Sequence, residues 1–174
     1  MLVTATAPRR PVRPPRIHTQ HDLPTVSPPS VLLIDDEPAI CRAFAQLLER
    51  RGLEVLIATA PGPARELIER RHPDVIVIDL HIGRQLDLSG ESVFGAAVAL
   101  DPAYSRRTLF MTGDISDHAR ERLAATGRPF LMKPFAADSL LEAVLAMAAG
   151  RPIPIPRSTV VSAGPRQAGG GRVA

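Results

Sequence analysis

The sequence predicts an α/β domain: one parallel sheet of five strands with helices on both faces. Three observations carry this. Short apolar runs alternate five times with amphipathic segments. The most apolar run, DVIVIDL (74–80), has the continuous Val/Ile character of a strand covered on both faces. Acidic, hydroxyl and ammonium side chains collect where the runs end, and open parallel sheets bind their ligands at the carboxyl ends of strands.

The elements follow in order. SVLLID (30–35) is a buried strand ending in acid, and Pro38 opens a helix to about Arg51 with Ile40, Phe44, Leu47 and Leu48 on one face. Gly52 suits the stop of that helix. LEVLIA (53–58) is the second strand, and PGPARELIERR (61–71) a helix with Ala64, Leu67 and Ile68 inward. The run at 74–80 is the sheet centre. A loop leads to about Gly90, and a helix over 91–100 places Val93, Phe94, Ala97 and Val98 together. RTLFMT (107–112) is the fourth strand, 116–125 a helix and PFLM (129–132) the fifth strand. The last helix, 136–149, carries the stripe Leu140, Leu141, Val144, Leu145 and Ala148.

Charge divides the 174 residues differently. Residues 1–29 carry four arginines and one aspartate, and residues 150–174 four arginines and no acid. The stretch between them has 13 basic and 17 acidic residues, so an acidic domain lies between basic tails. Runs such as PRRPVRPPR and the glycine-rich end cannot bury enough apolar surface to offset their ordering entropy, so 1–29 and 150–174 are expected to be disordered. PIPIP reads as linker, with an extended ligand as the alternative. Positive charge spread thinly along tails is weak support for nucleic-acid binding. A lone cysteine (Cys41) and no signal peptide fit a reducing cytoplasm. Apolar runs fall far short of the ~20 residues a membrane span needs.

Four strand ends deliver the chemistry. They carry Asp35-Asp36-Glu37, Asp79, Thr112-Gly113 and Lys133-Pro134. A single Asp after an apolar run is often only a helix cap, so the argument rests on the set. Carboxylates gathered at one edge repel unless a cation neutralises them, and an all-oxygen site suits Mg²⁺. Beside it, Asp79 is a competent nucleophile toward a phosphoryl donor, with Lys133 and Thr112 placed to share the charge of the transferring group. Lys133 is the only lysine against twenty arginines, which marks a place where a compact ammonium is needed and a guanidinium fork is not. His18, His21, His72 and His118 lack partners at metal or triad spacing, and Cys41 reads as packed.

The motifs LLIDDE, VIVIDL, LFMTG and FLMKPF together resemble the receiver domain of bacterial two-component response regulators, over about residues 30–149. The resemblance implies a flavodoxin-like sheet of order 2-1-3-4-5 with five helices. It makes Asp79 the phosphoacceptor, with Mg²⁺ held by Asp36, by Asp35 directly or through water, by Asp79, and by the backbone carbonyl of His81. It has Thr112 moving toward the phosphoryl group, Lys133 pairing with it, and a cis Lys133–Pro134 bond. Phe130 stands at the switch aromatic position. His81 and Asp114 stand where the family tunes acyl-phosphate lifetime, against the plainer reading of two exposed loop side chains. Two departures are visible. The loop from Asp79 to Gly90 is about three residues longer than usual and has no proline around Gly83, and the switch residue is Phe, so its equilibrium rests on packing alone.

The resulting expectation is a single-domain response regulator, not an enzyme, taking phosphate from a sensor histidine kinase or histidine phosphotransfer protein. It would pass the signal by contact, with possible homodimerisation through the fourth helix, fifth strand and last helix. No helix-turn-helix pattern follows Ala149, so direct DNA binding is not expected. A phosphate-independent interaction module is the alternative, which the intact acidic and lysine set argues against. A Mg²⁺-dependent phosphohydrolase lacks its usual second Asp, because His81 stands two residues beyond Asp79.

Overall fold

The computed structural model describes residues 27–83, 90–114 and 116–153. The strands are β1 (Ser30–Ile34), β2 (Glu54–Ala58), β3 (Val75–Asp79), β4 (Thr108–Thr112) and β5 (Phe130–Met132). They alternate with α1 (Pro38–Glu49), α2 (Pro61–Arg71), α3 (Gly90–Leu100), α4 (Asp117–Thr126) and α5 (Ala137–Ala148). All pairings are parallel, in the order β2-β1-β3-β4-β5. The expected fold is therefore the observed one, with element ends within two residues. Most of the two tails and the loop residues 84–89 lie outside the described residues.

The period of two along each strand divides the core into two layers. Val31, Leu33, Val75, Val77, Leu109, Met111 and Leu131 pack with α1 and α5. Their neighbours Leu32, Ile34, Ile76, Ile78, Phe110 and Phe130 pack with α2, α3 and α4. Every residue of β3 is buried, which is why its sequence runs apolar without alternation.

Local signals set the helix ends. Pro38 sits in the first turn of α1, and Gly52 (φ +79°) and Gly127 (φ +62°) take left-handed conformations after α1 and α4. Ser116 Oγ accepts from the Ala119 N–H and starts α4. Two details differ from the sequence reading. The buried stripe of α1 is Cys41, Ala45 and Leu48, with Ile40, Phe44 and Leu47 at its margin. A 3-10 turn over Pro102–Arg106, unassigned from sequence, is capped by Asp101 and buries Tyr104. Thr108 Oγ1 and the Asp101 carboxylate hold it through local hydrogen bonds that no apolar period announces. The chain also stays on the domain beyond 149: Arg151 N–H donates to the Ala146 carbonyl, and Ile153 packs on the core.

Gly90 determines how closely α3 approaches the sheet. Its N–H donates to the Leu80 carbonyl at 3.0 Å, and a Cβ there would lie 2.4 Å from the Asp79 carbonyl oxygen and 3.1 Å from Leu80 Cα. Both obstacles are backbone of the central strand and cannot rotate away. Gly90→Ala is expected to destabilise the protein by about 1–3 kcal/mol, the usual cost of overpacking, as measured by urea unfolding. Unchanged stability would show that α3 can shift away from β3.

Candidate functional site

β1 and β3 are neighbours in the sheet yet run to helices on opposite faces, so the order reverses between them. Their register pairs Ile34 with Ile78, which sets the next residues, Asp35 and Asp79, side by side at that switch point. Asp36 follows on the exposed loop. One oxygen from each of Asp35, Asp36 and Asp79 lies within 4.8 Å of the others. Asp35 is 1% and Asp79 8% exposed, so their charges are held largely out of water. The Glu37 N–H donates to Asp35 Oδ1 at 2.9 Å and orients that carboxylate.

Lys133 reaches this pair from β5. Its Nζ donates to Asp35 Oδ2 at 2.7 Å and to Asp79 Oδ2 at 3.2 Å. The backbone beneath it is fixed: Lys133 N–H donates to the Thr112 carbonyl at 2.7 Å, and the Lys133–Pro134 peptide is cis, as expected. Phe135 then stacks on Phe44 of α1, with ring centroids 5.5 Å apart, tying the lysine loop to the first helix. Burial by itself pushes the Lys133 pKa down. The hydrogen bond to Asp35 and the charges of Asp79 and Asp35 outweigh it, and the net shift is upward.

Three carboxylates against one ammonium leave the cluster with excess negative charge. Asp36 is exposed and lies outside the ammonium's hydrogen bonds. Hard oxygen donors with uncompensated charge at the sheet edge fit a divalent cation held by Asp35, Asp36 and Asp79.

The remaining expected residues lie on β4, β5 and the adjoining loops. Thr112 is buried at the end of β4, and its Oγ1 accepts from the Asp114 N–H at 3.0 Å. Phe130 is turned inward, 4% exposed, in the layer that holds Phe110, Ala119 and Leu123. His81 Nε2 lies 3.4 Å from Asp114 Oδ2, so the two loop residues meet across the mouth of the site. The Ser116 N–H bond to Asp114, more than the histidine, lowers the Asp114 pKa. Sequence reasoning did not place Cys41 at the site, but its Sγ donates to the Asp35 carbonyl at 3.5 Å. Burial pushes that thiol up to about 11, so it is a packing group and not a nucleophile. Nor did it find the Phe44–Phe135 stack or the close approach of Gly90; a lone glycine at a helix start carries no local sign of what it faces.

Residues 31–145 match the family model of the response regulator receiver domain, and the chain belongs to that family. Among its relatives is the alginate biosynthesis transcriptional regulatory protein AlgB of Pseudomonas putida. It is 30% identical over 110 residues, covering 63% of this chain and 24% of that protein. The transcriptional regulatory protein KdpE of Mycobacterium tuberculosis is 35% identical over 115 residues, 64% of this chain and 47% of that protein. This chain therefore aligns with less than half of either relative. A CheY-like receiver domain from Methanospirillum hungatei superposes with a TM-score of 0.64 at 26% identity, over 71% of this chain and 96% of that one. A response regulator from Burkholderia pseudomallei, solved with a phosphorylated aspartic acid, calcium and citrate, superposes at 0.59 with 30% identity, over 70% and 69% of the two chains. Receiver domains are phosphoacceptor modules of phosphorylation-based signalling, and they pair with histidine kinases or phosphotransfer proteins. Among the described residues, no helix is long and apolar enough to cross a membrane.

The raised Lys133 pKa carries a pH signature. Its stabilising share is fully present below the ordinary lysine value of about 10.4 and is lost as pH rises through the higher folded value. Lys133→Met, measured without divalent cations, is expected to unfold more readily by about 2–4 kcal/mol at neutral pH, because it leaves Asp35 and Asp79 buried and uncompensated. The gap between the two proteins in chemical denaturation should narrow above about pH 10.4. A gap that stays constant through that range would mean that the ammonium does not stabilise the pair.

Proposed function

We propose that Asp79 is the phosphoacceptor of a Mg²⁺-dependent receiver and that the protein signals through phosphorylation-dependent contacts. The observation that carries this reading is the Lys133 ammonium bonded to both Asp35 and Asp79 at the switch point. A carboxylate oxygen of Asp79 attacks the phosphorus of a phosphohistidine on a kinase or phosphotransfer partner. The P–N bond breaks, the imidazole leaves, and an acyl phosphate forms on Asp79. Asp35, Asp36 and Asp79, with the His81 carbonyl, would hold Mg²⁺, which when bound supplies charge neutralisation to the phosphoryl oxygens.

The chain's own groups do the rest. Lys133 exchanges its bond to the Asp79 carboxylate for one to a phosphoryl oxygen, keeping its hold on Asp35. The Thr112 hydroxyl accepts from Asp114 N–H, which leaves its proton to donate to another phosphoryl oxygen. Thr112 and Phe130 lie on the same side of adjacent strands, where register pairs Phe110 with Phe130 and Thr112 with Met132. Movement of the hydroxyl is thereby felt by the aromatic ring, and the output face is that of α4, β5 and α5. The protein acts as a phosphoacceptor and not as a hydrolase, since the residue two beyond Asp79 is His81 and it is engaged with Asp114.

Incubation with acetyl phosphate and Mg²⁺ should add one phosphoryl mass, read by intact mass spectrometry, and Asp79→Asn should abolish it. Mass gain without Mg²⁺, or gain that survives in Asp79→Asn, would rule the assignment out. Asp36→Asn should raise the Mg²⁺ concentration for half-maximal labelling by about tenfold or more, because affinity of such sites follows ligand charge. An unchanged Mg²⁺ requirement would remove Asp36 from the ligand set.

A further inference from the structure

The end of the sheet opposite Asp79 carries a second feature that the phosphoacceptor does not use. A cleft of about 730 Å³ opens there, and Arg106, Arg107, Arg128 and Arg151 line it with no acidic residue among its walls. Arg107 immediately precedes β4 and Pro129 immediately precedes β5, so the cleft sits at the start of the two strands whose far ends bear Thr112 and Lys133. Five residues of strand rise separate Arg107 from Thr112, roughly 17 Å. The cleft is thus a separate place from the acidic site.

Its walls are built. Arg128 Nε donates to the Thr126 carbonyl at 3.1 Å and its Nη1 to the Ser105 carbonyl, which fixes the guanidinium without neutralising it. Arg151 is held by its N–H on the Ala146 carbonyl, and Ile153 packs against the core and closes one side. Among the described residues, Arg106, Arg107 and Arg151 form no ion pair. Arg106, Arg107 and Arg151 are exposed and Arg128 is half-buried. Four arginines lining one cleft with no acid among its walls give it a positive field that attracts an anion. The two terminal segments carry far more positive than negative charge. Residues 154–174 carry three arginines and no acid, and residues 1–26 four arginines and one aspartate.

We propose that this basal cleft binds a small phosphate-bearing ligand with an apolar body, of mononucleotide size. Guanidinium forks match phosphate oxygens in pairs, and several of them suit a group carrying more than one charge better than a single carboxylate. Pro129 and Met147 supply apolar wall for the rest of the molecule. The volume falls in the range of small-molecule sites. A concave cleft of that size favours a small ligand over a flat macromolecular contact.

The test is calorimetric titration of the full chain in buffer freed of divalent cations, so that the acidic site cannot take phosphate through a metal. ADP, pyrophosphate and adenosine are the small probes, with an acidic peptide and a short RNA as the macromolecular ones. ADP is expected to bind one to one and more tightly than pyrophosphate, with adenosine not binding. Asp79→Asn should leave ADP binding intact, while Arg107→Gln/Arg151→Gln should weaken it by about tenfold or more and still accept phosphate from acetyl phosphate. Equal ADP affinity in the double variant, no binding of ADP, or binding of only the RNA or only the peptide would each overturn the proposal.

Discussion

Two acidic side chains are brought together at a buried edge because the strands that carry them are paired. Asp35 follows β1 and Asp79 ends β3, and parallel pairing in the register Ile34–Ile78 leaves them no freedom to separate. In water such a pair would cost little; at 1% and 8% exposure their mutual repulsion is felt strongly. The ammonium of Lys133 meets both, and it arrives from β5, the strand at the far edge of the sheet. The site therefore exists only when the whole sheet is assembled.

The same constraint explains the supporting contacts. Lys133 must be stationary to balance two carboxylates, and its backbone bond to Thr112 and the Phe135–Phe44 stack hold the loop from both sides. Asp35 is oriented by the Glu37 N–H, and its carbonyl receives the Cys41 thiol from the first turn of α1. On the other layer, Gly90 lets α3 start against the Asp79 carbonyl. The Glu37 N–H and the Lys133 ammonium restrain carboxylates that would otherwise be buried without a partner, and the other contacts fix the backbone that carries them.

Much of this was legible beforehand. Apolar runs of four to six residues separated by amphipathic stretches specify strands and helices with little competition, and the ends of the first helix fell where Pro38 and Gly52 place them. Asp35, Asp36, Asp79, Thr112 and Lys133 stood out because polar residues ending apolar strands must meet at one edge. The face of α1 was less legible: Phe44 belongs to the apolar stripe, but its ring is taken up by Phe135, ninety-one positions away. The His81–Asp114 contact was hidden for the same reason, since it joins residues that chain order does not bring near, whereas the turn at Pro102–Arg106 is held by local hydrogen bonds that leave no apolar period.

The sequence by itself determined the kind of elements, their order and the residue types available at the strand ends, because those follow from local periodicity and from the chemistry of single side chains. Only the tertiary structure decided that Lys133 bonds both Asp35 and Asp79, that Phe130 lies inward beside the layer of α4, and that four arginines line one basal cleft. Those outcomes depend on distances across the sheet. Electrostatic and packing energies act through space and change steeply over a few ångströms, and spacing along the chain does not contain that information.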